Sequence, residues 1–75
     1  MKSEKILEIV NGIRVNKGLT ELDKINSSDR LREDYGLTSF DLAELTVKIE
    51  DEFDIDIFED GLVSTVGEIF AKLEA

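Results

Sequence analysis

Residues 38–53 read TSFDLAELTVKIEDEF, and they predict an amphipathic helix with a defined beginning. Thr38 and Asp41 have the spacing of a capping box, with Asp in place of the usual Glu or Gln. The apolar residues that follow recur at helical spacing and share one face, namely Leu42, Leu45, Ile49 and Phe53. We therefore predict a helix that ends at about Phe53 or Asp54 and buries this face in a core.

The opposite face of this helix is acidic around two apolar residues. It would consist of Phe40, Asp41, Glu44, Val47, Glu50 and Asp51. The net charge of the chain is -9, and residues 39–75 carry all of it, since residues 1–38 sum to zero. The electric field of these negative charges repels phosphate backbones, so we expect no nucleic-acid partner. The same field attracts basic protein surfaces. Charge alone does not separate a recognition face from an ordinary solvated acidic surface.

Two further helices flank this segment. Residues 3–15 predict a first helix, whose core stripe would be Ile6, Val10 and Ile13. Thr65 and Glu68 form a second capping box, so a last helix should begin at Ser64 or Thr65. Its core residues would be Val66, Ile69, Phe70 and Leu73.

The connections complete the predicted architecture. Residues 17–38 form a long first loop, and residues 54–58 alternate like a strand but have no second strand to pair with, so a tight loop is expected there. A short helix is expected around residues 59–62. The sequence thus predicts one domain over residues 1–75 with an all-α fold, a small four-helix bundle of three main helices and one short helix.

Composition argues against catalysis by this chain alone. It contains no Cys and no His, so an activated nucleophile would need a Lys or a carboxylate as its base. A hydrolase that relies on carboxylates is the enzymatic alternative, and we predict instead that the chain is not an enzyme. No apolar run approaches the roughly 18 residues of a membrane span, and the amphipathic start lacks a signal-peptide stretch. A cytoplasmic location is the expectation.

A calcium loop is a weak alternative for the acidic segment. Asp56, Asp60 and Gly61 match loop positions 1, 5 and 6. Phe58 and Gly67 would occupy positions 3 and 12, where oxygen ligands are required. We therefore predict no specific metal site.

Ser39 lies where the second helix is predicted to begin. Backbone N–H groups at a helix start lack intrahelical partners, and the positive end of the helix dipole favours an attached phosphodiester. Nothing in the chain activates the hydroxyl, so a separate enzyme would have to attach such a group. Local chemistry alone favours the plainer interpretation, in which Ser39 is an ordinary early-helix residue or the cap itself.

The order of these motifs resembles the acyl carrier proteins. Residues 34–45 (DYGLTSFDLAEL) and 47–57 (VKIEDEFDIDI) are similar to the serine motif, the acidic helix and the alternating tail of that family. Residues 64–69 (STVGEI) are similar to its last-helix start. The resemblance covers nearly the whole chain and implies a bundle of the acyl-carrier type with a long first loop.

The resemblance also implies a function and its residues. Ser39 would carry 4′-phosphopantetheine, derived from coenzyme A, and the thiol of that arm would hold acyl groups as thioesters for fatty-acid or related enzymes. Docking to these partners would use the acidic face, namely Phe40, Asp41, Glu44, Val47, Glu50 and Asp51. An acyl chain would be sheltered by the pocket residues Leu42, Leu45, Ile49, Ile57, Leu62 and Ile69, whose plainer role is core packing.

The implied partners are a phosphopantetheinyl transferase and acyl-handling enzymes with basic surfaces, and the carrier itself would be a monomer. Thr38 and Phe40 depart from the Asp and Leu that flank the serine in the family. These departures leave open a specialised carrier for polyketide, nonribosomal-peptide or D-alanine transfer. An unmodified acidic helical interaction module is the alternative from a different class.

Overall fold

Among the residues that the structure describes, three helices make up the regular secondary structure. The computed structural model describes residues 2–59, 61 and 63–74. Helix α1 spans Lys2–Asn16, α2 spans Ser39–Phe53 and α3 spans Val66–Glu74. These bounds confirm the three predicted main helices to within about two residues.

A single apolar core joins the three helices and the connections. Each helix contributes the stripe that its sequence spacing predicts, and side chains from the long connection and the loop after α2 complete it. The fully buried apolar side chains with no more than 1% exposure are Ile6, Val10, Ile13, Leu31, Leu45, Ile49, Ile57, Val66 and Ile69. Phe53 and Phe70 are partly buried and pack against this core.

The connection between α1 and α2 is ordered by contacts with the start of α3. Leu31 N–H donates to the carbonyl of Ser64 at 2.9 Å, and Val66 N–H donates to the carbonyl of Asp29 at 3.0 Å. Gly67 N–H donates to the carbonyl of Ser27 at 2.8 Å, and a Cβ on Gly67 would lie 3.0 Å from that oxygen. Residues 27–31 and 64–67 therefore lie against each other, and the absence of a side chain on Gly67 favours the close approach.

The predicted fourth helix is not confirmed. Glu59 N–H donates to the carbonyl of Asp56 at 3.3 Å and Gly61 N–H to the carbonyl of Phe58 at 3.1 Å, which are turn contacts. Among the described residues of this segment the backbone forms turns rather than a helix, and Asp60 and Leu62 lie outside the described residues. The tight loop predicted for residues 54–58 is confirmed, and Asp54 closes α2 in the left-handed conformation at φ 59°.

The helices are too short or too polar to span a bilayer. Within the described part of the chain, no helix has the length and apolar character that crossing a membrane requires.

Candidate functional site

Ser39 is the first residue of α2, and it is exposed. The first intrahelical hydrogen bond runs from Leu42 N–H to the carbonyl of Thr38 at 2.9 Å. The N–H groups of Ser39 and Phe40 precede that bond, so they have no partner within the helix. The Ser39 hydroxyl thus lies at the positive end of a 15-residue helix, where a negatively charged substituent is stabilised.

A capping box fixes the backbone on both sides of Ser39. The hydroxyl oxygen of Thr38 accepts a hydrogen bond from Asp41 N–H at 3.2 Å, and Asp41 Oδ2 accepts one from Thr38 N–H at 2.9 Å. The prediction of a box with Asp in the third helical position is confirmed. Thr38 is extended at φ -91° and ψ 174°, so the backbone changes from extended to helical at Ser39.

The end of α1 holds the loop that leads into α2. Arg14 Nη1 donates to the carbonyl of Tyr35 at 2.5 Å, and Lys17 Nζ donates to the carbonyl of Gly36 at 2.7 Å. Gly36 adopts φ 72°, a conformation that other residues reach only with strain. The position of Ser39 therefore depends on basic residues more than twenty positions earlier in the sequence.

Tyr35 anchors the same loop from inside the core. It is only 2% exposed, and its hydroxyl donates to Asp29 Oδ2 at 2.7 Å. Burial, together with this bond to a carboxylate, raises the pKa of Tyr35 well above its usual value. The phenol therefore stays protonated and donates this bond throughout the physiological pH range.

Asp41 is buried, which corrects its predicted place on the exposed acidic face. It is 7% exposed, and its Oδ2 accepts a hydrogen bond from Lys17 Nζ as well as from Thr38 N–H. These bonds, that from Lys17 first, hold the pKa of Asp41 below its ordinary value against the opposing effect of burial. The helical wheel placed Asp41 off the core stripe, but the lysine at the end of α1 covers it.

Replacement of Asp41 by asparagine is expected to destabilise the fold by ~1–2 kcal/mol at neutral pH, because the charged bond to Lys17 is lost. A carboxyl whose pKa is lower in the folded than in the unfolded state stabilises the fold above its unfolded pKa. That stabilisation disappears as pH falls through the folded pKa. Asp41→Asn should therefore lose less stability than wild type on acidification below about pH 4, as measured by urea unfolding at several pH values.

The control for this prediction is Asp51→Asn, which removes an exposed carboxylate from the same helix. It should keep most of the wild-type stability and acid dependence. An Asp41→Asn protein with wild-type stability and an unchanged acid profile would contradict the role given to the Lys17–Asp41 pair.

A cleft of about 140 Å³ opens beside Ser39. Three segments of the chain form it: the turn over residues 31–35, the start of α2 and the residues just before α3. The lining residues are Arg32, Glu33, Ser39, Leu42, Val63 and Ser64. The cleft has an apolar floor and a charged rim, and its size suits part of a flexible chain attached at Ser39.

The exposed face of α2 carries the remaining predicted docking residues. Phe40 is 80% exposed and Val47 66%, so two apolar side chains of α2 lie on its solvent-facing side. Glu50 and Asp51 are exposed, and they line a shallow groove with Val47 and Asp54. Glu44 is partly exposed and pairs with Lys48 at 3.8 Å. We call the five residues Phe40, Glu44, Val47, Glu50 and Asp51 the α2 face.

The predicted acyl-pocket residues lie in the core. Leu42, Leu45, Ile49, Ile57 and Ile69 are each no more than 3% exposed, and Leu62 lies outside the described residues. Within the described part of the chain, Leu42 is the member of this set that also borders the cleft beside Ser39. An acyl chain that reached the others would have to displace packed side chains.

The sequence analysis missed several residues around the site. Lys17, Arg32 and Val63 contact or border the start of α2 from distant positions in the chain. Lys17 directly follows the first helix, and a basic residue there is only a weak signal, because such residues commonly interact with the last carbonyl groups of a helix. Arg32 and Val63 gave no signal, because their proximity to Ser39 depends on how the long connection packs against α3.

Comparison with known families identifies the class of protein that this fold and site represent. The chain matches the family described as "Phosphopantetheine attachment site" over residues 5–73 and belongs to it. This finding confirms the resemblance to acyl carrier proteins and the prediction of covalently bound 4′-phosphopantetheine. Acyl carrier proteins are carriers and not enzymes, so the prediction that the chain is not an enzyme is also confirmed.

A curated relative points to the same class. The chain is similar to the mitochondrial acyl carrier protein of Saccharomyces cerevisiae, with 34% identity over 55 residues. The match covers 73% of this chain but 44% of the yeast protein, so the chain spans less than half of that relative. No solved structure matches the chain.

Proposed function

We propose that this protein is an acyl carrier whose 4′-phosphopantetheine arm is attached to Ser39. The observation that carries the proposal is the placement of an exposed serine at the first position of α2, beside a cleft with an apolar floor. The family membership requires an attachment residue, and the hydroxyl of Ser39 has the exposure and the electrostatic setting that a phosphodiester needs. When bound, the arm supplies the thiol on which acyl groups are carried as thioesters.

The chain itself contributes geometry to this function. The capping box and the Lys17 contacts hold Ser39 at a fixed point on the surface, so a transferase meets one defined hydroxyl. The chain has no Cys, so the thiol of the arm has no competing side-chain thiol in the same protein. The cleft beside Ser39 would receive the part of the arm nearest the protein.

The α2 face is the proposed docking surface for the transferase and for acyl-handling enzymes. Its two exposed apolar side chains, Phe40 and Val47, are surrounded by carboxylates, which matches a partner with a central apolar contact and a basic rim. Electrostatic attraction would speed the encounter, while a small contact area would allow the carrier to leave each enzyme. Membership of the phosphopantetheine attachment family is consistent with acyl-handling partners. Fatty-acid biosynthesis is the pathway we propose.

Other parts of the assignment are also proposals. We propose a cytoplasmic monomer, and that the predicted pocket residues Leu42, Leu45, Ile49, Ile57, Leu62 and Ile69 separate to shelter an acyl chain. The departures at Thr38 and Phe40 keep a specialised carrier for polyketide, nonribosomal-peptide or D-alanine transfer as the second candidate. An unmodified interaction module would use the same α2 face and would bind its partner without any arm.

The proposal is tested by incubating the purified chain with coenzyme A, Mg²⁺ and each of several phosphopantetheinyl transferases. Intact mass spectrometry should show the addition of one phosphopantetheinyl group per chain. The chain without transferase is the control and should keep its mass. If no transferase modifies the folded chain while a known carrier is modified in the same assay, the proposal is wrong.

Charge reversal on the α2 face should weaken partner binding. Glu44→Lys or Asp51→Lys is expected to lower the affinity for a basic acyl-handling enzyme by about tenfold, because each substitution replaces attraction with repulsion. Titration calorimetry or surface plasmon resonance at two salt concentrations would measure the change, which should shrink at high salt. Glu21→Lys, an exposed reversal in the long connection, is the control and should have a much smaller effect. Equal losses for all three variants would argue against a localised docking surface.

A further inference from the structure

Arg32 is a basic residue beside Ser39, the proposed attachment residue. It is exposed, and it borders the same cleft as Ser39. Its carbonyl accepts a hydrogen bond from Gly36 N–H at 3.1 Å, which fixes the turn that carries it. Among the residues that the structure describes, no ion pair or hydrogen bond engages its guanidinium group. The side chain is thus held close to Ser39 at its base, and its tip is unpaired within the described part of the chain.

The neighbouring arginine differs in this respect. Arg30 is engaged by two carboxylates, with Nη1 3.7 Å from Glu33 Oε2 and Nη2 3.4 Å from Asp34 Oδ1. Its backbone N–H also donates to Asp34 Oδ2 at 2.7 Å. Arg30 therefore stabilises the turn, whereas the guanidinium of Arg32 makes no ion pair or hydrogen bond with any residue that the structure describes.

The acids near Ser39 are already paired. Glu33 borders the cleft but lies against Arg30, and Asp41 is bound by Lys17. The residue before Ser39 is the uncharged Thr38. A phosphodiester on Ser39 would thus meet partly neutralised carboxylates and a helix start that favours anions. It would also meet the guanidinium of Arg32, which is unpaired among the described residues and whose planar donors suit phosphate oxygens.

We propose that Arg32 pairs with the phosphodiester of the arm on Ser39 and positions the near part of the arm against the cleft. This inference rests on the proposed function, because it requires attachment at Ser39. Arg32 is a positioning residue: it takes part in no bond-making step, and it limits the directions in which the arm leaves the protein surface.

The test compares unmodified and modified forms of three proteins: wild type, Arg32→Gln and Lys24→Gln. Lys24 is an exposed cation of the same connection, so its variant matches the loss of charge. Urea unfolding measures the folding equilibrium constant of each form. Attachment of the arm should raise this constant about two- to fivefold more in wild type and in Lys24→Gln than in Arg32→Gln. The difference should disappear in about 1 M salt. A fourth protein, Arg32→Lys, should keep part of it.

A second measurement reports on Arg32 directly. In nuclear magnetic resonance spectra of the wild-type protein, modification should shift the Arg32 Nε–H signal and slow its hydrogen exchange, while the Arg30 signal stays nearly constant. Equal stabilisation of all three proteins by the arm, with an unchanged Arg32 signal, would overturn the inference. Forms with the arm verified on Ser39 are used throughout, so that result would leave the proposed function intact, whereas failure to attach any arm would refute the proposed function itself.

Discussion

Ser39→Ala is expected to abolish incorporation of 4′-phosphopantetheine completely. The substitution removes the oxygen through which the phosphodiester would be attached, and the adjacent hydroxyl, that of Thr38, is engaged as the cap that accepts a hydrogen bond from Asp41 N–H. Because Ser39 is exposed and the helix is capped by Thr38, the free energy of unfolding should change by less than about 0.5 kcal/mol. Intact mass spectrometry after incubation with transferase and coenzyme A measures the loss, and circular dichroism confirms the fold.

Ser64→Ala is the matched control for this result. Ser64 borders the same cleft and is also exposed, but it lies just before α3 rather than at the start of a helix. Its variant should be modified at close to the wild-type rate. Modification that survives Ser39→Ala, or that is lost equally in both variants, would contradict the assignment of Ser39.

Leu45→Ala should have the largest effect on stability. Leu45 is fully buried at the centre of the α2 stripe, so truncation removes apolar contacts and leaves a cavity, at a cost of ~3 kcal/mol. A domain of this size has a total stability on the order of 5 kcal/mol, so most of its margin would be lost. Thermal and urea unfolding should show a marked decrease in the melting temperature and in the denaturation midpoint.

Val47→Ala provides the comparison on the same helix. Val47 is 66% exposed, so its truncation should change the free energy of unfolding by less than about 0.5 kcal/mol while weakening partner binding. If Leu45→Ala and Val47→Ala proved equally destabilising, the assignment of one helix face to the core and the other to partners would be wrong.

The helices were predictable because their signals are local. The capping box at Thr38 and Asp41 and the spacing of Leu42, Leu45 and Ile49 depend only on residues within one helix, and the structure confirms both. The predicted short helix around residues 59–62 had no comparable local signal, because its segment lacks a long apolar stripe. Among the described residues there, Glu59 and Gly61 make turn contacts, and the helix is not confirmed.

The surroundings of Ser39 were less accessible to sequence reasoning. Burial of Asp41 depends on Lys17, which is 24 positions away, and the cleft depends on packing of the turn at Arg32 against Val63 and Ser64. Helical periodicity describes which face a residue occupies but not what another segment places over it. The place of Ser39 at a helix start was therefore predictable, while the residues that orient it required the tertiary structure.

The most direct test of the central claim is to locate the arm in the modified wild-type protein by peptide mapping. Trypsin cleaves after Arg32 and Lys48, and the peptide between these sites, residues 33–48, contains Ser39 as its sole serine. Tandem mass spectrometry should find the phosphopantetheinyl group on this peptide and assign it to Ser39. A group found on another peptide, or on Thr38 or Thr46 of this one, would contradict the account.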